Sequence, residues 1–420
     1  MAILTSPAVD RRGTEPDGPE SGRRRSLVVE WLAHPQASFY LVLVPAMLLL
    51  ALGMMMVLSA SSVYAYVRYD DAYYFVKRQA LFLVIGGVAA FFLARRSPQQ
   101  LKVFGWVLVM VALALEILTF TPLGYSNNGN TNWIRFGSFS VGQPSELAKL
   151  AIVVWAAAIF ARKHKLLADP RQLLIPFLPV SLLLIGLVVL QSDLGTGLIM
   201  GALVMAVLWY VGASVKLLAG MVGAVALAVA GLIVTSSHRM SRILGFFNQD
   251  LDPLGVNHQP IKAIFALASG GWWGLGLGAS RQKWGGLVES HTDYMLAVIG
   301  EELGLVGTLL VLGLFLILGY GGFRIAMRSD IRFCRYAAAG VTSWFMIQAL
   351  VNVAVVLRMV PVLGVPLPLL SYGVSALVAN LMALGVLLAC ARQEPDNRAF
   401  LRRRRRRRER ALVTTSAGRG

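Results

Sequence analysis

The sequence predicts an all-α integral membrane protein of about ten transmembrane helices, with both termini in the cytoplasm and a large extracytoplasmic loop between the seventh and eighth spans. Three observations predict it. First, 57% of the 420 residues are hydrophobic and only 14% are charged, with a mean hydropathy of +0.66, which is more apolar surface than a water-soluble fold can hide. Second, apolar stretches of about 18 residues or more recur from Phe39 to Ala391, the length needed to cross a hydrocarbon layer roughly 30 Å thick. Third, Lys and Arg gather at alternate breaks between these stretches, as expected when translocating them is unfavourable. A β-barrel would alternate apolar and polar residues, and these runs do not.

In chain order, the spans fall near 38–60, 77–94, 101–121, 145–162, 172–190, 194–211, 215–235, 296–320, 333–356 and 372–392. The basic side collects Arg23 to Arg25, Arg95, Arg96, Lys102, Arg162, Lys163, Lys165, Lys216, Arg324, Arg328, Arg332 and Arg335, and is therefore assigned to the cytoplasm. Residues 1–37 read as a disordered basic tail without the apolar core of a cleavable signal peptide. Residues 393–420 read as a second cytoplasmic tail, with ten arginines against three acids and an unbroken run from Arg402 to Arg408. That run is suited either to anchoring topology or to binding anionic lipid. The net charge of +18 follows from topology, because the cations flank apolar spans rather than interleave with aromatics, so no nucleic-acid partner is expected. Two cysteines, Cys334 and Cys390, give no disulfide or metal framework.

The unusual sequence lies on the opposite side, around 61–76, 122–144, 191–193, 236–295 and 357–371. Ionisable groups at or within apolar spans are expensive and need a reason. Glu146 and Lys149 open the fourth span after Pro144, three residues apart and on one helix face. Two readings stand: a structural ion pair that makes insertion tolerable, or a lysine facing an outward cavity to meet an anion, with Glu146 positioning it. Asp193, in Gln191-Ser192-Asp193-Leu194-Gly195-Thr196, has the character of a helix cap for the sixth span. Glu116 is a lone acid in the third span, with a hydrogen-bond partner as its only expected need.

Glycines dominate Ser269 to Gly278 and let backbone approach a ligand closely, while Trp272 and Trp273 suit a headgroup layer. Arg281 and Lys283 follow with donors for an anion, and Asp293 then brings a carboxylate to the outer end of the eighth span. Cations beside a carboxylate at a membrane surface fit transfer chemistry on a lipid-linked phosphate; a merely structural loop is the competing reading. Pro361, Gly364, Pro366 and Pro368, followed by Ser371-Tyr372-Gly373, interrupt the chain before the last span. Backbone without helical partners at this depth must be buried in protein or line a watery cavity.

These motifs together resemble the SEDS family (shape, elongation, division and sporulation). The patterns are Trp133-Ile134-Arg135-Phe136-Gly137, Gln143-Pro144-Ser145-Glu146-Leu147-Ala148-Lys149, Asp193-Leu194-Gly195-Thr196, His291-Thr292-Asp293-Tyr294 with Ala297 to Gly304, and Pro366-Leu367-Pro368 with Ser371-Tyr372-Gly373. They run in family order over nearly all of 38–392. Ser280-Arg281-Gln282-Lys283 and Ala148 look more like the division-type branch than the elongation-type branch, which is the alternative. The resemblance implies a peptidoglycan glycosyltransferase that polymerises lipid II at the outer face of a bacterial cytoplasmic membrane, at the division septum. A lipid II flippase is the competing function, since broken helices and intramembrane charges suit transport as well.

On the resemblance, Asp293 is the catalytic residue, as a proton acceptor or as the ligand of a divalent cation (Mg or Mn), with no organic cofactor. Arg135, Lys149, Arg281, Lys283 and Glu289 would bind substrate. Glu146, Asp193, His291 and Ser371 would give structural support. The implied partners are a class B penicillin-binding protein, supplying a transpeptidase this chain lacks, and other divisome membrane proteins. Five positions depart from the family pattern: Thr131-Asn132 stand where two arginine-like residues are common, Ser192 where Pro is frequent, Arg358 for a usual glycine, and Val374 for a second glycine after Tyr372.

Overall fold

The computed structural model describes residues 27–403 except 128–129, 137–138, 168, 236, 248–256, 285–286 and 288–289. Ten stretches of helix within it are long and apolar enough to cross a membrane. A short helix α1 (Leu27–Ala33) precedes the first spans, α2 (Ala37–Tyr69), α3 (Tyr74–Leu93) and α4 (Pro98–Leu118). A small antiparallel sheet follows, of strands β1 (Gly124–Asn127), β2 (Asn130–Phe136) and β3 (Phe139–Gly142), with β2 in the middle. Then come α5 (Pro144–Lys163), α6 (Pro170–Leu174) and α7 (Phe177–Leu190), which together make one span, α8 (Leu194–Val211) and α9 (Val215–Val234). Two further helices, α10 (Ser237–Phe247) and α11 (His258–Gly270), lead to the long spans α12 (Met295–Arg328) and α13 (Arg332–Val356), and α14 (Val374–Arg392) is the last.

Where the observed elements differ from the expected ones, the reason is local. The first span was expected to stop near residue 60, but α2 continues to Tyr69, where Asp70 takes a left-handed conformation and ends it. Hydropathy falls through Ser59 to Tyr66, yet nothing there breaks a helix, so the apolar run reports the lipid and not the end of the element. For the same reason α12 runs past residue 320 to Arg328. The segment 236–295 is not one loop but carries α10 and α11, and 122–144 contributes strands to an otherwise helical protein. Residues 27–33, expected within a disordered tail, form α1, and residues 395–403 of the Arg-rich tail are helical.

The core is built on α5 and α14, the most enclosed spans, whereas α9 buries only Leu218. Small side chains, Ala156 to Ala158 on α5 and Ala337 to Gly340 on α13, allow the backbone approach that packs helices where lipid supplies no hydrophobic drive. At one end of the bundle Ser38 donates to Glu394 at 3.1 Å and His34 meets Phe400 edge-on at 5.7 Å, so both described ends of the chain lie together.

At the other end, α12 is broken. Gly304 adopts φ 69°, ψ −165°, which removes the helical bonds between the N–H groups of Leu305 and Val306 and the carbonyls of Glu301 and Glu302. The glycine-rich segment after α11 supplies replacements for all four groups. Leu305 and Val306 donate to the carbonyls of Gly271 and Trp272 at 2.9 and 3.2 Å, and Leu275 and Gly276 donate to those of Glu301 and Glu302 at 2.9 and 3.1 Å. The fit leaves no room for a side chain, because a Cβ on Gly304 would collide with Gly274 N and one on Gly274 with the Glu302 carbonyl. Gly304→Ala is therefore expected to destabilise the protein by about 1–3 kcal/mol. Gly313→Ala, in open space on the same helix, should leave stability unchanged or raise it. Thermal unfolding of the two purified variants in one detergent measures the difference.

Candidate active site

Asp293 lies in the turn just ahead of α12, partly buried. Its carboxylate points at the chain between α13 and α14: a Cβ on Gly364 would stand 3.6 Å from Asp293 Oδ2. The position of this turn is fixed from α13. Asn352, 1% exposed, donates from one amide nitrogen to the carbonyl of Asp293 at 2.7 Å and to that of Val365 at 2.8 Å. One helical turn earlier, Gln348 Nε2 donates to the Pro366 carbonyl at 2.8 Å, while its Oε1 accepts from Trp344 Nε1 at 2.7 Å and Lys149 Nζ at 2.9 Å. Prolines at 361, 366 and 368 deprive this segment of backbone donors, so its carbonyls must be met by side chains from the spans.

Lys149 is also bound to Glu146 at 2.9 Å, both almost fully buried, and its ammonium lies 5.4 Å from the centroid of the Trp344 ring. Rather than facing an open outward cavity, Lys149 is enclosed between α5 and α13. It is connected to Asp293 through Gln348, the 365–366 backbone and Asn352.

His291 belongs to an aromatic cluster, 5.8 Å from Tyr64, 4.8 Å from Phe75 and 5.7 Å from Tyr372 by ring centroids. Its carbonyl accepts from Tyr372 N at 2.9 Å, so it joins the Asp293 turn to α2, α3 and the segment ahead of α14. Ser371 Oγ accepts from Leu367 N at 3.0 Å, and Gln79 of α3 brackets the same segment through the Ser371 carbonyl and Gly373 N, both at 3.4 Å.

Asp193 caps α8 by accepting from Thr196 N and Oγ1 at 3.0 Å, and also accepts from Asn132 of β2 at 2.8 Å. Gln191 accepts at its carbonyl from Thr131 N and donates to the Glu116 carboxylate at 2.7 Å. The sheet is thereby fastened to α4 and α8. Arg135, on β2, is exposed, its guanidinium 5.0 Å from the Tyr125 ring centroid.

The two cations of the glycine-rich segment have different surroundings. Arg281 is exposed and uses its backbone N–H on Glu301 at 2.9 Å. Lys283 is turned inward, where Nζ donates to the Gly278 carbonyl at 2.6 Å and pairs with Glu302 at 3.4 Å. Glu302, 0% exposed, also accepts from Ser59 of α2 at 2.6 Å, and Glu301 accepts from Ser280 Oγ at 2.5 Å. Both acids clamp the broken stretch of α12. Glu289 lies outside the described residues.

The structure thus connects Asp293, Glu146, Lys149, His291 and Ser371 in one hydrogen-bonded and aromatic frame, leaves Arg135 and Arg281 as exposed cations, and commits Lys283 to Glu302. Gln348, Asn352, Gln79 and Gln191 escaped the sequence reading. Their signal was available, since an amide inside an apolar run must also find partners, but only the ionisable residues were weighed there.

Fold and site together define a polytopic membrane protein with interrupted backbone at one end of its bundle and a carboxylate held in the interruption. A family model described as "Cell cycle protein", covering FtsW, RodA and SpoVE, matches residues 39–396. The chain belongs to this family. It is similar to the probable peptidoglycan glycosyltransferase FtsW of Mycobacterium bovis, 37% identical over 92% of this chain and 74% of that protein. Among solved structures, it is similar to a chain of a peptidoglycan synthase complex described as coordinating polymerization and crosslinking, with a TM-score of 0.68 at 27% identity over 84% of this chain and 97% of that one. It is also similar to the rod shape determining protein RodA of Thermus thermophilus, with a TM-score of 0.61 at 27% identity over 87% and 99%.

Removing one member of a buried ion pair strands the other. Lys149→Met is expected to cost about 3–5 kcal/mol, with most of the loss recovered in Lys149→Met/Glu146→Gln. Thermal unfolding of the single and double variants reads this directly. Equal stability of wild type and Lys149→Met would show that the lysine has no structural share in the frame.

Proposed function

We propose that the chain is a peptidoglycan glycosyltransferase that polymerises lipid II at the outer face of the bacterial cytoplasmic membrane during cell division. The observation that carries this reading is Asp293, a carboxylate ahead of a helix start, pinned through its backbone by Asn352 and opening beside Gly364. The relatives' names support the reaction class. The arginine-rich end of the bundle faces the cytoplasm by the distribution of positive charge, which puts Asp293, β2 and the glycine-rich segment on the outer side.

In the reaction, the 4-hydroxyl of the acceptor sugar attacks the anomeric carbon of the donor. The new glycosidic C–O bond forms as the bond to undecaprenyl pyrophosphate breaks, and the electron pair leaves with the diphosphate. Asp293, standing just ahead of the α12 N-terminus, takes the hydroxyl proton. Charge gathering on the diphosphate requires fixed cations, and Arg135 and Arg281 are the site candidates with exposed guanidinium groups. Lys149 and Glu146 serve as positioning residues through Gln348. Asp193, His291, Ser371 and the Lys283–Glu302 pair hold the elements in place.

A divalent cation would find one carboxylate in Asp293, but no group of three His, Cys, Asp or Glu side chains converges among the described residues. If bound, a Mg or Mn ion would be held by Asp293 together with diphosphate oxygens of the substrate, and would supply charge neutralisation to the leaving group. A class B penicillin-binding protein, supplying the crosslinking activity, is the proposed partner, and the division septum the proposed location. The solved peptidoglycan synthase complex supports a joint polymerising and crosslinking assembly.

Reconstitution of the purified chain with its crosslinking partner and labelled lipid II tests the reaction. Asp293→Asn is expected to lower glycan-strand formation at least about 100-fold with no change in thermal stability. Undiminished polymer from Asp293→Asn would remove the residue from catalysis. Movement of lipid II across the bilayer without polymer would make the chain a transporter.

A further inference from the structure

The opposite end of the bundle holds a second built feature, away from Asp293 and unused by the reaction. Where α3 and α14 end, the helical stretch 395–403 borders an open pocket of about 260 Å³. Five of its lining residues are arginines: Arg95 and Arg96 after α3, Arg392 at the end of α14, and Arg398 and Arg402 on the returning segment. Among the described residues, no acidic side chain lines it. Of the acids nearby, Asp396 and Glu394 pair with Arg328 at 2.5 and 3.7 Å, and Asp330 pairs with Arg398 of the lining itself.

With Arg398 paired to Asp330, four like charges remain around one small space and repel one another, which an anion among them relieves. Local partners restrain some of these groups without neutralising them. The Arg95 guanidinium lies 3.3 Å from the centroid of the Phe91 ring, and Arg392 donates to the Ala94 carbonyl at 3.4 Å. Arg96 and Arg402 have no ion-pair partner among the described residues. The cavity opens where α3 and α14 end, and the exposed rings of Phe91 and Phe92 lie one turn away on α3. Guanidinium groups above an apolar helix face match a phosphodiester carrying hydrocarbon chains better than a free anion.

We propose that this cavity is a binding site for the headgroup of an anionic phospholipid of the same leaflet. It shares only Arg402 with the Arg402–Arg408 run among the described residues, and three of its five arginines come from the ends of α3 and α14. The occupant neutralises the cluster and ties the returning segment to the bundle.

Native mass spectrometry of the full chain, titrated with phosphatidylglycerol, cardiolipin or phosphatidylcholine, tests the site. Retention of an anionic lipid under conditions that strip phosphatidylcholine is expected. Its apparent affinity should fall at least about 10-fold in Arg95→Gln/Arg96→Gln/Arg392→Gln, a variant that leaves the Arg402–Arg408 run intact. Arg96→Glu, an exposed single change that does not threaten folding, should weaken binding in the same direction. Equal binding of anionic and zwitterionic lipid, or unchanged affinity in both variants, would overturn the proposal. Displacement of the lipid by millimolar glycerol phosphate would overturn the lipid assignment in favour of a soluble phosphate.

Discussion

Backbone polar groups that leave a helix inside the membrane cannot turn to water, and the half of this protein that holds Asp293 is organised around that constraint. Three interruptions crowd together there: the break in α12 at Gly304, the proline-rich segment between α13 and α14, and the turn before α8. Each is closed by a different supply of partners. The glycine-rich segment exchanges four backbone bonds with α12. Amide side chains of α13 and α3 reach the second interruption, and Asp193 with Gln191 closes the third.

Asp293 gains its position from this arrangement. A carboxylate on a free loop would sample many directions, whereas here the preceding histidine is packed among three aromatic rings and Asn352 holds the carbonyl of Asp293 itself. The same α13 helix holds the opposing wall through Val365 and Pro366. One rigid span therefore sets both sides of the opening. The buried Lys149–Glu146 pair extends the frame to α5, the most enclosed helix, so the site is referenced to the core of the bundle rather than to its lipid-facing rim.

Much of this was readable in the amino-acid sequence. α8 matches its expected bounds at both ends because each carries a local signal, Asp193 as cap at the start and Gly212 in a left-handed conformation at the end. The pairing of Glu146 with Lys149 follows from their spacing. What spacing cannot show is the direction their shared face takes, and it turns inward to Gln348. Lys283 illustrates the same gap, since its partner Glu302 lies 19 residues further on and only the return of the chain over broken α12 brings them together. Arg358, which replaces a usual glycine of the family, adopts φ 55°, a left-handed conformation costing about 1–2 kcal/mol for a side-chain-bearing residue. The departure was visible beforehand, and its physical meaning required the backbone.

The central claim, that buried amides of α13 hold the interrupted backbone around Asp293, is tested most directly by hydrogen–deuterium exchange on Asn352→Leu in detergent or nanodiscs. Faster exchange confined to residues 290–294 and 364–373, with α5 and α14 as protected as in the wild type, is the predicted result. Unchanged exchange in those two segments, or a uniform rise across the bundle, would contradict it.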